Sequence, residues 1–434
     1  MMSNVIKKEN EKIKELYYYY KDESGLDVYV FPKNLSTTYA AFATKYGSLE
    51  NRFKTDKDAD FIDVPNGIAH FLEHKMFENE DGSDTFENFG KIGASANAYT
   101  SIDKTVYLFS CTDLPEQALS ILLDFVTHPY FTEENVAKEQ GIIGQELKMY
   151  DDNPSLRIYY SLLNLLYVNH NIKISVGGTV ESISKITPEI LYNCYNTFYN
   201  PSNMSLIVCG NLSLESVKNI VSEHIKPGRN QTILCEYPEE PKEIAGKEEF
   251  IKMDVANKLF AIGTKDVNYP TSPREQKKRS IAINILNDLI FGSSSSLYNY
   301  LYDNGYVKNS FSAMYETANS CAHNIIMGDC DDPRLVYDLC SKEIEKTKEN
   351  FPSEDDFKRI QLVTYSEYIK SFDSTEDISN DFIDCLFAGV DMLDIGEIIL
   401  EIDYEYLKNT FFSFFNEEYT AFSVIEPIKE EFKC

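Results

Sequence analysis

The stretch His70-Phe-Leu-Glu-His74 holds two of the six histidines of the chain, four residues apart, with Glu73 directly before the second. Positions i and i+4 of an α-helix lie one turn apart on the same face, so both imidazoles can reach one ion. Glu73 stands beside such an ion, where it can take a proton from an activated water. This H-x-x-E-H order is the reverse of the H-E-x-x-H zinc helix. Two imidazoles with a carboxylate suit Zn²⁺, with a fourth position left for water.

A third ligand decides between a metal site and two histidines that merely share a helix. A helix predicted over 132–154 offers four glutamates, and two of them, Glu139 and Glu146, are seven residues apart on one face. One can serve as a ligand while the other orients a histidine or shares charge. Two glutamates on one helix face are more often a solvated surface than a metal site. Together with the histidine motif, they favour a metal site.

The elements that position these residues follow from the apolar spacing. LDVYVFP (26–32), TTYAAFATKYGS (37–48), TVYLFSCT (105–112) and NMSLIVCGNLS (203–213) predict strands. NGIAHFLEHKMFE switches to helical spacing with Asn66 placed to cap it, and LPEQALSILLDFVTHP predicts an amphipathic helix. Thr132 is the expected cap of the long helix that carries the glutamates.

The second half of the chain repeats this order of strands and helices. Between the halves lies a stretch rich in proline, glycine and charge, without sustained periodicity. We therefore predict an α+β fold of two duplicated domains, 1–228 and 249–434, joined by a linker at 229–248, with metal ligands in the first domain only.

Composition excludes several classes of protein. The chain has 434 residues and a formal charge of −29, which argues against a nucleic-acid-binding surface. Its N-terminus lacks the pattern of a secretory signal, and no apolar run reaches the length of a membrane span. Nine cysteines without a C-x-x-C pair indicate reduced thiols, so we expect a cytoplasmic protein without a membrane anchor.

Four stretches together resemble the pitrilysin/insulinase zinc metallopeptidases, the inverzincins. They are HFLEH, EQGIIGQE, GASANAYTSIDKTVY and residues 175–213. The resemblance implies the LuxS/pitrilysin-like metallopeptidase fold, with two homologous domains, each an antiparallel sheet packed with helices, forming half of a clam-shell chamber. It also implies hydrolysis of short unfolded peptides with one Zn²⁺ per chain.

The resemblance assigns roles residue by residue. It makes Glu73 the general base and Glu139 a supporting catalytic carboxylate. It makes His70, His74 and Glu146 the zinc ligands, and Asn97, Ala98 and Tyr99 part of an edge strand on which the substrate adds as a further strand.

One departure from the family pattern concerns the second half. Members of the family often carry an arginine and a tyrosine there that stabilise the substrate carbonyl, whereas FGSSSSLYNYLYDNGYVKNSFS places Tyr302 and Lys308 at those positions. We therefore expect a homologous partner subunit, in a heterodimer or a homodimer, to supply the pair. The alternative is a non-catalytic or accessory subunit in peptide maturation or in protein modification, such as that of elongation factor P.

Overall fold

A computed structural model describes residues 5–228, 231–318 and 320–428 of the chain. The described residues form fifteen β-strands: β1 Ile6–Asn10, β2 Glu15–Lys21, β3 Asp27–Pro32, β4 Thr38–Thr44, β5 Arg52–Thr55, β6 Ile62–Asp63, β7 Ser95–Thr100, β8 Thr105–Cys111, β9 Met204–Gly210, β10 Ile233–Cys235, β11 Glu248–Met253, β12 Lys258–Lys265, β13 Phe311–Ala318, β14 Cys321–Cys330 and β15 Thr420–Pro427.

The described residues also form fifteen α-helices: α1 Ile68–Lys75, α2 Thr85–Lys91, α3 Pro115–Thr127, α4 Glu133–Asp151, α5 Pro154–Leu166, α6 Val180–Ile183, α7 Pro188–Phe198, α8 Leu214–His224, α9 Pro273–Ile290, α10 Ser296–Asp303, α11 Pro333–Glu349, α12 Glu354–Ser371, α13 Thr375–Phe387, α14 Ile395–Glu401 and α15 Tyr404–Phe414. The predicted α+β class is confirmed. Within the described ranges, every helix is too short or too polar to cross a membrane.

Packing divides the chain into two units. The first contains the described residues of 1–147, 174–237 and 369–393, and the second contains those of 148–173, 238–368 and 394–434. Helix α5 therefore packs in the second unit, and helix α13 packs in the first. The predicted domains, 1–228 and 249–434, divide the chain by sequence order and remain a prediction.

The first unit is built on a seven-stranded sheet with the order β1-β2-β3-β9-β4-β8-β7. β3 and β9 are parallel, and the other neighbours are antiparallel. Every residue of the central strands β4 and β9 is buried, which explains their nearly continuous runs of apolar and small residues. β7, in contrast, lies at the edge and is partly exposed.

The second unit contains a five-stranded sheet with the order β11-β15-β12-β14-β13. Its only parallel pair is β11 with β15, as far as the described strands show. The order and directions match β3-β9-β4-β8-β7 of the first unit strand for strand. This match confirms the duplication predicted from the order of elements.

The predicted linker, 229–248, is tied down within each unit where the structure describes it. In the first unit, β10 pairs with β5. In the second unit, the buried Lys265 ammonium donates to the Glu240 carboxylate at 2.6 Å and to the carbonyl oxygens of Pro241 and Glu243. A stretch without sequence periodicity is thus held by a short strand pair and by one buried ammonium group.

Candidate metal centre

The start of helix α1 is fixed by close backbone packing. Gly67 has φ +89°, and a Cβ there would lie 2.3 Å from the carbonyl oxygen of Gly177. A Cβ on Gly178 would lie 2.4 Å from the carbonyl oxygen of Asn66. Only glycines allow this approach, which places the histidine helix against the turn at 177–178. The expected cap at Asn66 was wrong: Gly67 is the N-cap, and the Asn66 side chain instead accepts a hydrogen bond from Asn51.

Helix α4 brings its glutamates to the histidines. Thr132 caps it as expected, accepting a hydrogen bond from the backbone N–H of Asn135. The chain turns at Asn153 into helix α5, which begins at Pro154. Glu139 and Glu146 lie two turns apart on one face of α4, and both reach the imidazoles of α1.

His70, His74 and Glu146 converge on one point. The His70 Nε2 lies 3.8 Å from one carboxylate oxygen of Glu146, and the His74 Nε2 lies 3.5 Å from the other. One ligand atom from each of the three residues fits within 4.8 Å of the others, and within the described residues no other such cluster occurs. Two imidazole nitrogens and one carboxylate are a donor set that Zn²⁺ accepts, so the residues fit the metal.

Glu139 lies behind His74 and not within the cluster. Its Oε1 is 3.2 Å from the His74 Nδ1, so a hydrogen on Nδ1 leaves the lone pair of Nε2 directed at the cluster. The Glu139 Oε2 lies 3.9 Å from the fully buried Lys75 ammonium, which also pairs with Glu78. Although burial raises the pKa of Glu139, the hydrogen bond from His74 and the charges of His74 and Lys75 lower it overall.

The pKa values of the two imidazoles shift in opposite directions because their surroundings differ. Burial and the neighbouring His74 lower the pKa of His70 to about 4, so His70 is neutral at neutral pH. Burial also lowers the pKa of His74, but the hydrogen bond to Glu139 and the charge of Glu146 outweigh it, and the pKa is raised overall. The carboxylates of Glu139 and Glu146 thus favour positive charge beside them.

Glu73 faces the edge strand. Its carboxylate accepts a hydrogen bond of 2.6 Å from the hydroxyl of Thr100, the last residue of β7. Burial raises the pKa of Glu73, and the Thr100 hydrogen bond opposes that shift. Sequence reasoning missed Thr100, although it directly follows the Asn97-Ala98-Tyr99 stretch that was predicted to bind substrate.

The predicted substrate residues lie on β7, whose only strand neighbour in the described part of the chain is β8. The backbone N–H of Ala98 donates to the side-chain oxygen of Asn97 at 2.9 Å. The Tyr99 hydroxyl donates to Asn380 of helix α13 at 3.4 Å. The edge therefore has backbone groups that a further strand can pair with.

Tyr302 and Lys308, the positions at which the family pattern departs, lie in the second unit. Tyr302 is 60% exposed and its ring stacks on Tyr298. The Lys308 ammonium pairs with Asp331 and donates to Asn257 at 3.4 Å. Lys308 is thus engaged in contacts within its own unit.

Sequence comparisons match most of the chain to known proteins. The sequence model of the insulinase family, peptidase family M16, matches residues 63–180, and that of the peptidase M16 inactive domain matches residues 185–363. The uncharacterized zinc protease YmfH of Bacillus subtilis is 40% identical over 408 residues, which are 92% of this chain and 94% of YmfH. The zinc protease PqqE of Helicobacter pylori is 24% identical over 337 residues, 74% of each chain.

Solved structures show the same fold. An M16-like peptidase from Alicyclobacillus acidocaldarius superposes with a TM-score of 0.90 at 31% identity, over 99% of both chains. The periplasmic protease PqqL of Escherichia coli superposes with a TM-score of 0.72 at 17% identity, over 96% of this chain and 48% of PqqL. The sequence matches extend over nearly the whole chain, and the chain is a member of the insulinase family of peptidases, family M16.

Proposed function

We propose that this chain is a zinc-dependent endopeptidase that hydrolyses short unfolded peptides. The observation that carries the proposal is the convergence of His70, His74 and Glu146 beside Glu73, which is itself bonded to the edge strand β7. The names of the relatives, which are zinc proteases, support the same metal and the same reaction class.

In this proposal His70, His74 and Glu146 hold one Zn²⁺ per chain, with Glu139 orienting His74. The metal, when bound, supplies Lewis-acid polarisation of the scissile carbonyl and of the attacking water. Glu73 takes the proton of that water and delivers it to the leaving nitrogen. The pKa of Glu73, raised by burial, makes this carboxylate a stronger base than an exposed glutamate. Thr100 holds the carboxylate in place through its hydroxyl.

The substrate binds as an added strand on β7, along Asn97, Ala98 and Tyr99. Backbone pairing of this kind accepts many sequences but requires an extended chain, which limits the substrates to unfolded peptides. The Thr100–Glu73 hydrogen bond connects the end of this strand to the proposed base. A peptide on β7 would therefore pass beside the metal ligands.

A homologous partner subunit completes the active site in this proposal. The fold of the chain corresponds to 48% of PqqL and to 92% of the first half of PqqL, so a single relative contains about two such modules. Lys308 pairs with Asp331 of its own unit. We propose that an arginine and a tyrosine come from the partner, and that both subunits are cytoplasmic, which suits the free cysteines of the described chain.

The test is Glu73→Gln, with the exposed Glu87→Gln as a control of equal charge change. We expect Glu73→Gln to bind one Zn²⁺ per chain, as measured by metal analysis, and to lose cleavage of a quenched fluorescent peptide library. Glu87→Gln should retain both properties. Each protein is assayed alone and mixed with a homologous chain that lacks H-x-x-E-H. Undiminished cleavage by Glu73→Gln would disprove the proposed base, and a zinc-loaded wild type inactive with and without the partner would favour an accessory role.

A further inference from the structure

Helix α13 belongs to the metal-bearing unit although it comes from the second half of the chain. Its apolar residues Ile378, Phe382 and Ile383 are buried, and it packs on strands β4 and β9. The Phe382 ring lies 4.8 Å from Tyr29 and 5.0 Å from Phe31 of strand β3. An aromatic cluster thus fixes one face of this helix on the sheet.

The polar side of α13 holds the turn that follows the edge strand. The Lys104 ammonium, between β7 and β8, lies 3.0 Å from Asp384 of α13 and 3.1 Å from its neighbour Asp103. Burial alone lowers the pKa of Lys104, but the two carboxylates raise it overall. The Lys104 side chain is 13% exposed, so the ion pair is only partly screened by solvent on the lysine side.

A second contact joins α13 to the edge strand itself. The Tyr99 hydroxyl donates to the side-chain oxygen of Asn380, and the Asn380 amide in turn donates to the Tyr39 hydroxyl of β4, each at 3.4 Å. Asn380 and Asp384 are four residues apart, on one face of the helix. The two contacts therefore form a row along the helix, one at β7 and one at its turn.

Backbone hydrogen bonds hold the turn to residues 48 and 49. The N–H of Ser48 donates to the carbonyl oxygen of Ser101, and the N–H of Leu49 donates to that of Ile102. β7 has one strand neighbour in the described residues, and an edge strand with one neighbour loses order readily. Side chains from α13 thus add to the other restraints on β7, which also packs against α1 and α2 and donates to Glu73 through Thr100.

We propose that helix α13 is a positioning element for peptide binding, holding β7 through Lys104–Asp384 and Tyr99–Asn380 in the position that a substrate strand requires. The inference rests on the proposed function of β7. Ordering the edge in advance removes a cost that the peptide would otherwise meet on binding. The contacts touch neither the metal ligands nor Glu73, so they act on binding of the peptide and not on the chemical step.

The test compares five variants with the wild type by steady-state kinetics and zinc content, using the full chain with its partner where activity requires one. We expect Lys104→Met and Asp384→Asn each to raise KM about 5-fold with kcat within about 2-fold of wild type. The KM of the double variant should be no higher than that of either single variant, because the two residues act as a pair. Asp384→Glu should restore KM, and the exposed Asp377→Asn on the same helix should leave it unchanged.

A second readout separates this inference from the proposed reaction. Amide hydrogen exchange over residues 95–104 should speed up in Lys104→Met and Asp384→Asn and stay at the wild-type rate in Asp377→Asn. Faster exchange together with raised KM supports the positioning role. Unchanged KM in an active enzyme, additive effects in the double variant, or unchanged exchange each overturn it. If the wild type cleaves no peptide, exchange alone decides whether α13 orders β7, and the proposed function fails separately.

Discussion

Replacing Glu50 by glutamine should make the stability of the protein less dependent on pH. Glu50 follows strand β4 in the metal-bearing unit and is 4% exposed. Its carboxylate accepts hydrogen bonds from the backbone N–H of Gly47 at 2.8 Å and from the Tyr237 hydroxyl at 2.9 Å. Burial nevertheless dominates these bonds and raises the pKa of Glu50 to about 7.

The stability of the wild type falls with rising pH because the pKa of Glu50 is higher in the folded chain than in the unfolded chain. Below the unfolded pKa of 4.5 Glu50 is protonated in both states, and between 4.5 and about 7 it is protonated only in the folded state. The stabilisation is complete below the unfolded pKa and is lost as the pH rises through the folded pKa. At about 1.4 kcal/mol per pKa unit the loss is about 3 kcal/mol. Glutamine does not titrate, so Glu50→Gln should not show this loss of stability.

The measurement is urea unfolding of metal-free wild type and Glu50→Gln, followed by circular dichroism, from about pH 4 to about pH 8. We expect equal stability at the acid end and a more stable Glu50→Gln at the alkaline end. Tyr237→Phe removes a bond that lowers the pKa of Glu50, so its loss of stability should extend to higher pH. A difference between wild type and Glu50→Gln that stays constant over the range would refute the reasoning.

Three further outcomes are expected. Thr100→Val should move the acid limb of kcat/KM to higher pH, because the pKa of Glu73 rises when the hydroxyl no longer donates to it, while Thr100→Ser keeps the wild-type profile. Glu139→Gln should weaken zinc binding about 10- to 100-fold in a chelator competition, and the exposed Glu134→Gln on the same helix should not. A chain of residues 1–228 lacks helix α13 and should show no cooperative melting transition; a sharp one would contradict the assignment of α13 to that unit.

The candidate ligands could be predicted from the sequence because helical spacing determines which residues share a face. His70 and His74 share a face at i and i+4, and Glu139 and Glu146 share one at i and i+7, whatever surrounds the two helices. The packing of helix α1 against helix α4 could not be predicted in this way. It depends on the close backbone approach of Gly67 to the turn at 177–178. The sequence offered Glu139 and Glu146 only as candidates, and the family resemblance assigned Glu146 as the ligand.

Contacts that cross between elements were missed for a physical reason. The Thr100 hydroxyl reaches Glu73 only because β7 pairs with β8 in one register, in which Thr100 lies opposite Thr105. A shift of one residue would turn every side chain of the strand to the other face. The Lys75–Glu139 contact likewise needs two helices in place. Sequence spacing within one element carries no information about either pair.

The two helices that leave their own half of the chain occupy matching places in the duplicated fold. Helix α5, between β8 and β9, packs on β12 and β15, while α13, between β14 and β15, packs on β4 and β9. In the repeated sheet order β4 corresponds to β12 and β9 to β15. Helix α5 of the first half therefore covers two strands of the second half, and helix α13 of the second half covers the two equivalent strands of the first half. An amphipathic helix has the same apolar pattern whichever sheet it covers, so sequence periodicity cannot predict this exchange. A cut at the linker would therefore separate each sheet from one of its helices, and the duplicated halves are not independent folding units.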